Sequence, residues 1–297
     1  MALEPPRRLV TALGETAQDG DDWLEKLPGA AEQAVALREL TVERVHVPGG
    51  RSSLVVMVRQ ADETPAVLKL VPPRSRPESE RAALAHWNGL GAVRLLDPSA
   101  ADGALLLERL HRDVSVRSLP EAKALLEAAG TLRRLWVQPP TDHRFETVAE
   151  RTGRQAEAMR ASADGEVAPL VDAALAAREE LLAGDAEVRL LHGTFRQSKV
   201  LQGDRVPWLA VGPDPVVGET AFDLARLVRD RVEDLIASPS GSSITRRRVK
   251  KLAESLDVDQ ERLRGWTLFR AVESGVRARR VGREQDAELL LEFAGWL

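Results

Sequence analysis

The 297-residue chain contains no cysteine, which excludes a disulfide framework, a thiolate nucleophile and a Cys-ligated metal. Its five histidines are scattered and match no H-E-x-x-H or comparable ligand spacing, so no zinc site is expected. No apolar run approaches the roughly 20 residues of a membrane span, and the opening MALEPPRRLV has no long apolar stretch of the secretory kind. An excess of positive charge is also lacking. Lys+Arg 42 against Asp+Glu 46 gives a net charge of -4, and with a pI near 5.9 this argues against a protein that coats nucleic acid. Two basic clusters, Arg246-Arg247-Arg248 with Lys250-Lys251 and Arg277 to Arg280, have no interleaved aromatics and are flanked by acids, so they read as solvated helix faces. A cytoplasmic protein with neither a membrane nor a nucleic-acid partner is expected. What is present, 43% hydrophobic residues, suffices for one large core or two moderate ones.

Up to Leu40 the chain carries helical signals. Trp23, Leu24 and Leu27 share a face, Pro28 opens a new helix, and Ala31 to Leu40 is rich in helix formers. This predicts a helical extension packed on the sheet that follows. Strand texture begins at Leu40 with LTVERVHV, SSLVVMVRQ and TPAVLKLV, separated by Pro48-Gly49-Gly50 and Asp62-Glu63. GAVRLLDPS, Gly91 to Ser99, and GALLLERL, Gly103 to Leu110, flank an Ala101 to Gly103 turn and complete an antiparallel sheet of about five strands.

Beyond Pro120 the pattern is helical. Glu121 to Trp136 has leucines at 125, 126, 132 and 135 on one stripe, and Thr141 or Asp142 caps a helix running to about Ala163. Further helices are read over Ala168 to Leu182, Thr220 to Ile236, Ile244 to Leu256, Gln260 to about Arg280 and a last stretch to Leu297, with Ser238 to Ser243 as a flexible connection. Sheet first and helices second is the order of an α+β bilobal protein, with an N-terminal lobe over 1–110 and a helical C-terminal lobe over 111–297.

Lys69 stands in AVLKLV with apolar residues on both sides, and an ammonium on a strand buried on two faces is costly unless an anion meets it. Glu80, in the early turns of a helix opened by Pro77, is the candidate partner. The alternative is an edge strand from which Lys69 snorkels to solvent. PGGRSS, Pro48 to Ser53, is either a plain hairpin turn or a place where backbone N–H groups and the Ser52 or Ser53 hydroxyl approach a phosphate. Glu108-Arg109-Leu110 is the exit from the sheet, either a loop or a hinge able to pair with an adenine edge.

Leu190 to Leu201 reads LLHGTFRQSKVL, and Pro207 to Leu227 reads PWLAVGPDPVVGETAFDLARL. An apolar pair enters a His-Gly turn and a polar loop follows. Val200-Leu201 and Trp208 to Val211 then read as short strands joined by the Gly203-Asp204 turn. That is the layout of a kinase catalytic loop and its metal-binding segment.

AVLKLVPP, the Glu80 to Trp87 segment with GAVRLL after it, GALLLERL, LLHG, PWLA, PVVG, AFDLARL and RLRGWTLFRAV occur in that order from about Trp23 onward. Together they resemble the aminoglycoside 6-phosphotransferase (streptomycin 6-kinase) and hydroxyurea phosphotransferase family. The resemblance implies the protein-kinase-like, aminoglycoside-phosphotransferase-like fold, with an antiparallel sheet lobe before a mainly helical lobe. It implies ATP and magnesium as cofactors and a small hydroxylated compound as acceptor. It further implies that Lys69 pairs with Glu80 and contacts the nucleotide phosphates, and that Glu108 to Leu110 lies at the hinge. Asp223 would accept hydrogen bonds from the catalytic-loop backbone, with His192 and Gly193 keeping the loop's shape.

The departures fall at the chemistry. Where the family reads HGDLHPGNVL this chain reads HGTFRQSKVL, so Thr194 stands at the catalytic aspartate position and Lys199 at the metal-binding asparagine position. Where the family reads an Ile-Asp-Pro type sequence this chain reads AVGP, which puts Gly212 at the second metal-ligand position. Phosphoryl transfer leaves the protein little to supply besides positioning, proton acceptance and charge neutralisation. Loss of a positioned base typically costs about 10²- to 10⁴-fold, and Lys199 and Gly212 offer magnesium no ligand.

These substitutions predict a pseudokinase that binds a nucleotide, a small hydroxylated molecule or a protein partner, with ATP a candidate ligand and magnesium not expected at the family site. The Lys199 ammonium would sit near the magnesium position and let ATP bind without metal, or Phe195, Arg196 and Gln197 would fill the pocket. The alternative is an active ATP-dependent O-phosphotransferase with relocated residues. In that case Asp214, two residues and about 6.6 to 6.8 Å along an extended strand from Gly212, would serve a shifted metal.

Overall fold

Alternating side chains build the first sheet. The strands are β1 (Thr41–Val45), β2 (Leu54–Arg59), β3 (Pro65–Leu70) and β4 (Ala104–Glu108); in β2, β3 and β4 residues two apart share a face, while in β1 a register shift between Val42 and Arg44 interrupts the alternation. One face carries Leu54, Val56, Val58, Ala66, Leu68, Leu70, Ala104 and Leu106, all buried in one cluster with Leu9 and Leu13 of α1 (Arg7–Gly14) and Leu27, Ala31 and Ala34 of α2 (Trp23–Leu37). Lys69 falls in the other set, opposite Val55 of β2 and Leu105 of β4. The computed structural model describes residues 3–15, 21–98, 102–163 and 165–297.

The chain forms two units. The first comprises Met1–Asp113 and Gln202–Val211, and the second Val114–Leu201 and Gly212–Leu297. In the first unit the strands are antiparallel in the order β1-β2-β3-β4, so β3 is interior and the edge-strand alternative for Lys69 is excluded. Four strands form this sheet where five were expected. Gly91 to Ser99 is not a strand, because its backbone groups divide between two neighbours: Val93 N donates to Ala210 O and Leu96 N to Leu106 O. Ser99 and the start of the Ala101 to Gly103 turn lie outside the described residues. Pro28 does not open a helix but lies within α2, where burial of Leu27, Ala31 and Ala34 outweighs one lost backbone bond. Pro77 does open α3 (Pro77–Trp87), the helix that carries Glu80.

The chain leaves the first unit within β5 (His111–Ser115) and enters helices. The buried face of α4 (Glu121–Leu135) is formed by Ala124, Ala128, Leu132 and Leu135, whereas Leu126 is exposed and Leu125 half-buried, which corrects the expected leucine stripe. The next helix, α5 (Val148–Ser162), starts later than read. Its cap is Thr147, whose side chain accepts from Glu150 N while Glu150 Oε2 accepts from Thr147 N, a complete capping box. After α6 (Ala168–Ala183) come β6 (Arg189–Leu191), β7 (Val200–Gln202), β8 (Trp208–Ala210) and β9 (Val216–Gly218), with β6 and β9 antiparallel.

The expected helix from Thr220 to Ile236 is two, α7 (Thr220–Val228) and α8 (Val232–Ile236), broken at Arg231 with φ of 59°. Arg248 holds the break by donating to Val228 O and Asp230 O, each at 2.7 Å. That corrects its place on a solvated face, although Arg246, Arg247, Lys250 and Lys251 around it are exposed. Arg248 lies in α9 (Gly241–Leu256), which begins earlier than expected, so Gly241 to Ser243 is helix rather than flexible connection. A Cβ at Gly241 would stand 2.0 Å from Leu235 O, so glycine permits the close approach of the two helices. The centre of the second unit is α10 (Gln260–Arg280), packed against α5, α6, α7, α9 and α11 (Glu284–Ala294). Its Trp266 meets the Phe222 ring edge-on at 5.2 Å. Among the described residues no helix is long and apolar enough to cross a membrane.

Candidate functional site

In the second unit, β6 delivers His192 and Gly193 to a loop whose shape is set from beneath by a buried carboxylate. Asp223 accepts from His192 N at 2.8 Å and from Gly193 N at 2.9 Å. Burial pushes the Asp223 carboxyl above its ordinary value, opposed by Arg270 and by those two N–H donors. Gly193 has φ of +77°, and a Cβ there would lie 1.9 Å from Asp214 O. His192 is buried against the edge of Phe195 at 5.5 Å. Further along, Gln197 N donates to Asp230 Oδ2 at 2.7 Å and Arg231 Nε donates to Gln197 Oε1 at 3.2 Å. Phe195 and Gln197 therefore serve the interior of this unit, while Arg196 is exposed.

A single helical turn, Gln197–Lys199, then returns the chain toward its start. Thr194, Lys199 and Gly212 meet there. Lys199 Nζ donates to Thr194 Oγ1 at 2.6 Å and to Gly212 O at 2.7 Å, and Thr194 Oγ1 donates to Gly212 O at 3.4 Å. Gly212 contributes only backbone and has φ of +62°. Asp214 is engaged elsewhere: Arg151 donates to its carbonyl at 3.0 Å and to Oδ1 at 2.9 Å, and its N–H bonds His192 O at 3.0 Å. Arg151 is buried and also holds Glu146.

This donor set does not fit magnesium. The ion favours carboxylates and water in a near-octahedral oxygen shell, whereas a hydroxyl and a carbonyl here already accept from an ammonium whose charge would repel it. Among the described residues no group of three or more His, Cys, Asp or Glu side chains is placed to hold a metal.

In the first unit, Lys69 Nζ donates to Glu80 Oε1 at 2.6 Å and Oε2 at 2.5 Å, both side chains being largely buried. Ser52 is exposed and Ser53 buried in the connection between β1 and β2, which spans eight residues, 46–53, and is longer than a tight hairpin turn. Glu108 N donates to Arg94 O at 3.0 Å, so that N–H is occupied by the protein itself. The Glu108 carboxylate accepts from Arg94 N and Arg205 Nη2, each at 2.9 Å. Leu110 is half-buried, with its Cδ2 3.2 Å from where a Cβ on Gly203 would lie.

A family model described as aminoglycoside/hydroxyurea antibiotic resistance kinase matches residues 38–282. The chain belongs to this family. Among its relatives, a streptomycin 6-kinase of Streptomyces glaucescens is 33% identical over 280 residues, 92% of this chain and 90% of that protein. A hydroxyurea phosphotransferase of Kitasatospora aureofaciens is 35% identical over 288 residues, 92% of this chain and 79% of that protein. The fold is that of solved aminoglycoside phosphotransferases. APH(4)-Ia superposes with a TM-score of 0.61 at 16% identity, covering 90% of this chain and 97% of that one. A thermostable mutant of it, in ternary complex with ADP and hygromycin B, gives 0.62 at 16% identity, covering 89% and 96%.

Three side chains that shape this kinase-family loop escaped the sequence reading: Arg270, Asp230 and Arg151. Arg270 donates to Phe222 O at 2.7 Å and Gly193 O at 2.6 Å, and its guanidinium lies 4.1 Å from the Phe222 ring centroid. Burial holds it well below the ordinary arginine value, assisted by Arg226 and opposed by Asp223. A signal existed. Within WTLFRAV the core-facing run around Trp266, Phe269 and Val272 contains one charged residue, and a charge there requires partners.

Proposed function

We propose that this family member binds a nucleotide but transfers no phosphoryl group, acting as a pseudokinase through ligand binding or as a scaffold. The observation that carries the reading is the contact of Lys199 Nζ with Thr194 Oγ1 and Gly212 O. Where the family resemblance places the catalytic carboxylate and both metal ligands, this chain has a hydroxyl, an ammonium and a bare carbonyl bonded to one another. A threonine hydroxyl cannot take a proton as a carboxylate does, which alone costs about 10²- to 10⁴-fold. Nucleotide binding is supported by the Lys69–Glu80 pair and by the ADP held in a solved relative of the same fold. The relative's hygromycin B supports a small hydroxylated molecule as the second ligand. A cytoplasmic setting goes with ATP as the ligand.

The second reading is an active O-phosphotransferase with relocated residues, and Asp214 is the observation in its favour, its carboxylate side chain being 49% exposed. Arg151 would have to release Asp214 before it could serve a metal or accept a proton. The deciding experiment supplies Mg-ATP and a panel of aminoglycosides, hydroxyurea and simple polyols to the full chain and looks for phosphorylated product by mass spectrometry. No product above the enzyme-free background is expected. Product formation that Lys69→Met abolishes would establish the second reading.

A further inference from the structure

We infer that the face where α7 meets α10 holds a binding site for the phosphate group of a small molecule, with Arg226 as its principal donor and Arg277 beside it. The site lies wholly within the second unit and does not depend on the nucleotide reading above.

The surroundings of Arg226 are fully bonded. At the end of α7, Arg229 donates to Arg270 O at 3.0 Å and to Ser274 Oγ at 2.9 Å, which fastens that end against α10. Ser274 Oγ donates in turn to Glu273 Oε2 at 3.0 Å, and Arg277 Nε donates to Glu273 Oε1 at 2.9 Å. Both Glu273 oxygens are therefore engaged. Asp230 accepts from Gln197 N at 2.7 Å.

Arg226 is different. It stands three residues before Arg229 on α7, and the charges of Glu273, Arg277 and Asp230 act on it together with that of Arg196 in the loop. It forms no hydrogen bond and no ion pair with any described residue. Its side chain is half-buried, yet its nitrogens are not sealed from solvent. A guanidinium partly withdrawn from water needs acceptors, and the protein supplies none here. The local field is positive as well: burial first and Arg196 next lower Arg226 to about 10, and burial first and Arg226 next lower Arg229 to about 9. A phosphate group would bring both the missing acceptors and the missing negative charge, in a geometry that suits the planar fork of arginine. Arg277 is exposed and bonded to Glu273 through Nε, which leaves its Nη groups for the same anion.

The competing account makes Arg226 a structural cation that steadies Glu273 and Asp230 through space. Removing such a cation lowers stability with no ligand present. Removing a donor kept for a ligand does not.

The test is calorimetric titration of the full chain, at constant ionic strength in phosphate-free buffer, with inorganic phosphate and with glucose 6-phosphate. Glucose is the uncharged control. Wild type is compared with Arg226→Met, Arg226→Lys and Arg247→Met, the last removing one exposed arginine of α9. Melting temperatures are recorded with and without phosphate. Wild type should bind both phosphates and not glucose. Arg226→Met should lose about 10- to 100-fold, the weight of a charge-assisted hydrogen bond, Arg226→Lys less, and Arg247→Met nothing. Without phosphate, Arg226→Met should melt at or above wild type. Phosphate should then raise the melting temperature of wild type alone of these two. No phosphate binding by wild type overturns the inference, as does binding that survives Arg226→Met. An equal loss in Arg247→Met reduces it to net charge, and a lower melting temperature for phosphate-free Arg226→Met establishes the structural cation instead. ADP should behave alike with wild type and Arg226→Met; a loss of ADP affinity matching that of phosphate would overturn a separate site.

Discussion

Arg270, on α10, donates to the carbonyl oxygen of Gly193, 2.6 Å away in the loop that holds Lys199. The same guanidinium reaches Phe222 O and opposes the burial of the Asp223 carboxylate. Arg270→Met should therefore leave a buried carboxylate and two carbonyls without their cation. We expect a loss of about 3–5 kcal/mol in urea unfolding, the usual cost of stranding a buried charge. Arg270→Lys should recover only part of it, because one ammonium does not span both carbonyls. A neutral result for Arg270→Met would remove Arg270 from the account of the loop.

Gly193→Ala tests the turn from the other side. A left-handed conformation costs a non-glycine residue about 1–2 kcal/mol, and here the added Cβ would also meet Asp214 O at 1.9 Å. The expected outcome is a lower melting temperature and a displaced loop. Gly14→Ala, where nothing lies within 4 Å of the new atom, is the matched control and should be near neutral or stabilising.

A pH dependence follows from the first unit. Arg38 donates to Asp102 through two nitrogens, at 2.7 and 2.8 Å, and this contact holds the Asp102 carboxyl below its ordinary value of 3.8. A depressed carboxylate contributes stability that is present above the unfolded value and disappears as pH falls through the folded one. Asp102→Asn should be less stable than wild type at pH 7, with the gap closing as pH drops below 3.8. Unfolding curves from pH 7 to 3 measure it. A constant gap would mean that the contact is not electrostatic.

Restoring the family residues is expected to be asymmetric. Thr194→Asp with Lys199→Asn removes the ammonium and supplies a carboxylate, so nucleotide affinity should come to depend on magnesium. Adding Gly212→Asp places a side chain at a φ of +62°, for a cost of about 1–2 kcal/mol. The triple variant should gain further metal dependence at lower stability. If neither variant responds to magnesium, more than these three positions separates the loop from a metal site.

The sequence made the sheet readable because period-2 burial in β2, β3 and β4 has few other solutions, and it made Lys69 conspicuous because a charge among AVLKLV demands an anion. Glu80 was found by the helix start at Pro77. Loop residues came from a string of motifs rather than from any periodicity. What stayed hidden has a common cause. Arg151, Arg248 and Arg270 act by donating to carbonyls or carboxylates far along the chain, and one arginine in a sequence rich in them carries no local mark of its partner. The break between α7 and α8 was missed for the same reason, since Arg248 completes it from 18 residues away. Thr147 was legible and overlooked: T-x-x-E with Glu150 outranks Thr141 and Asp142 as a start signal.

On the proposed reading, the loop from His192 to Lys199 lacks the base and the metal ligands that phosphoryl transfer requires. The measurement that meets this most directly is product formation with Mg-ATP and hydroxylated acceptors, compared between wild type and Lys69→Met, whose lost ammonium leaves Glu80 without its partner. The account predicts that both give the same enzyme-free background. Phosphorylated acceptor made by wild type and absent with Lys69→Met would contradict it.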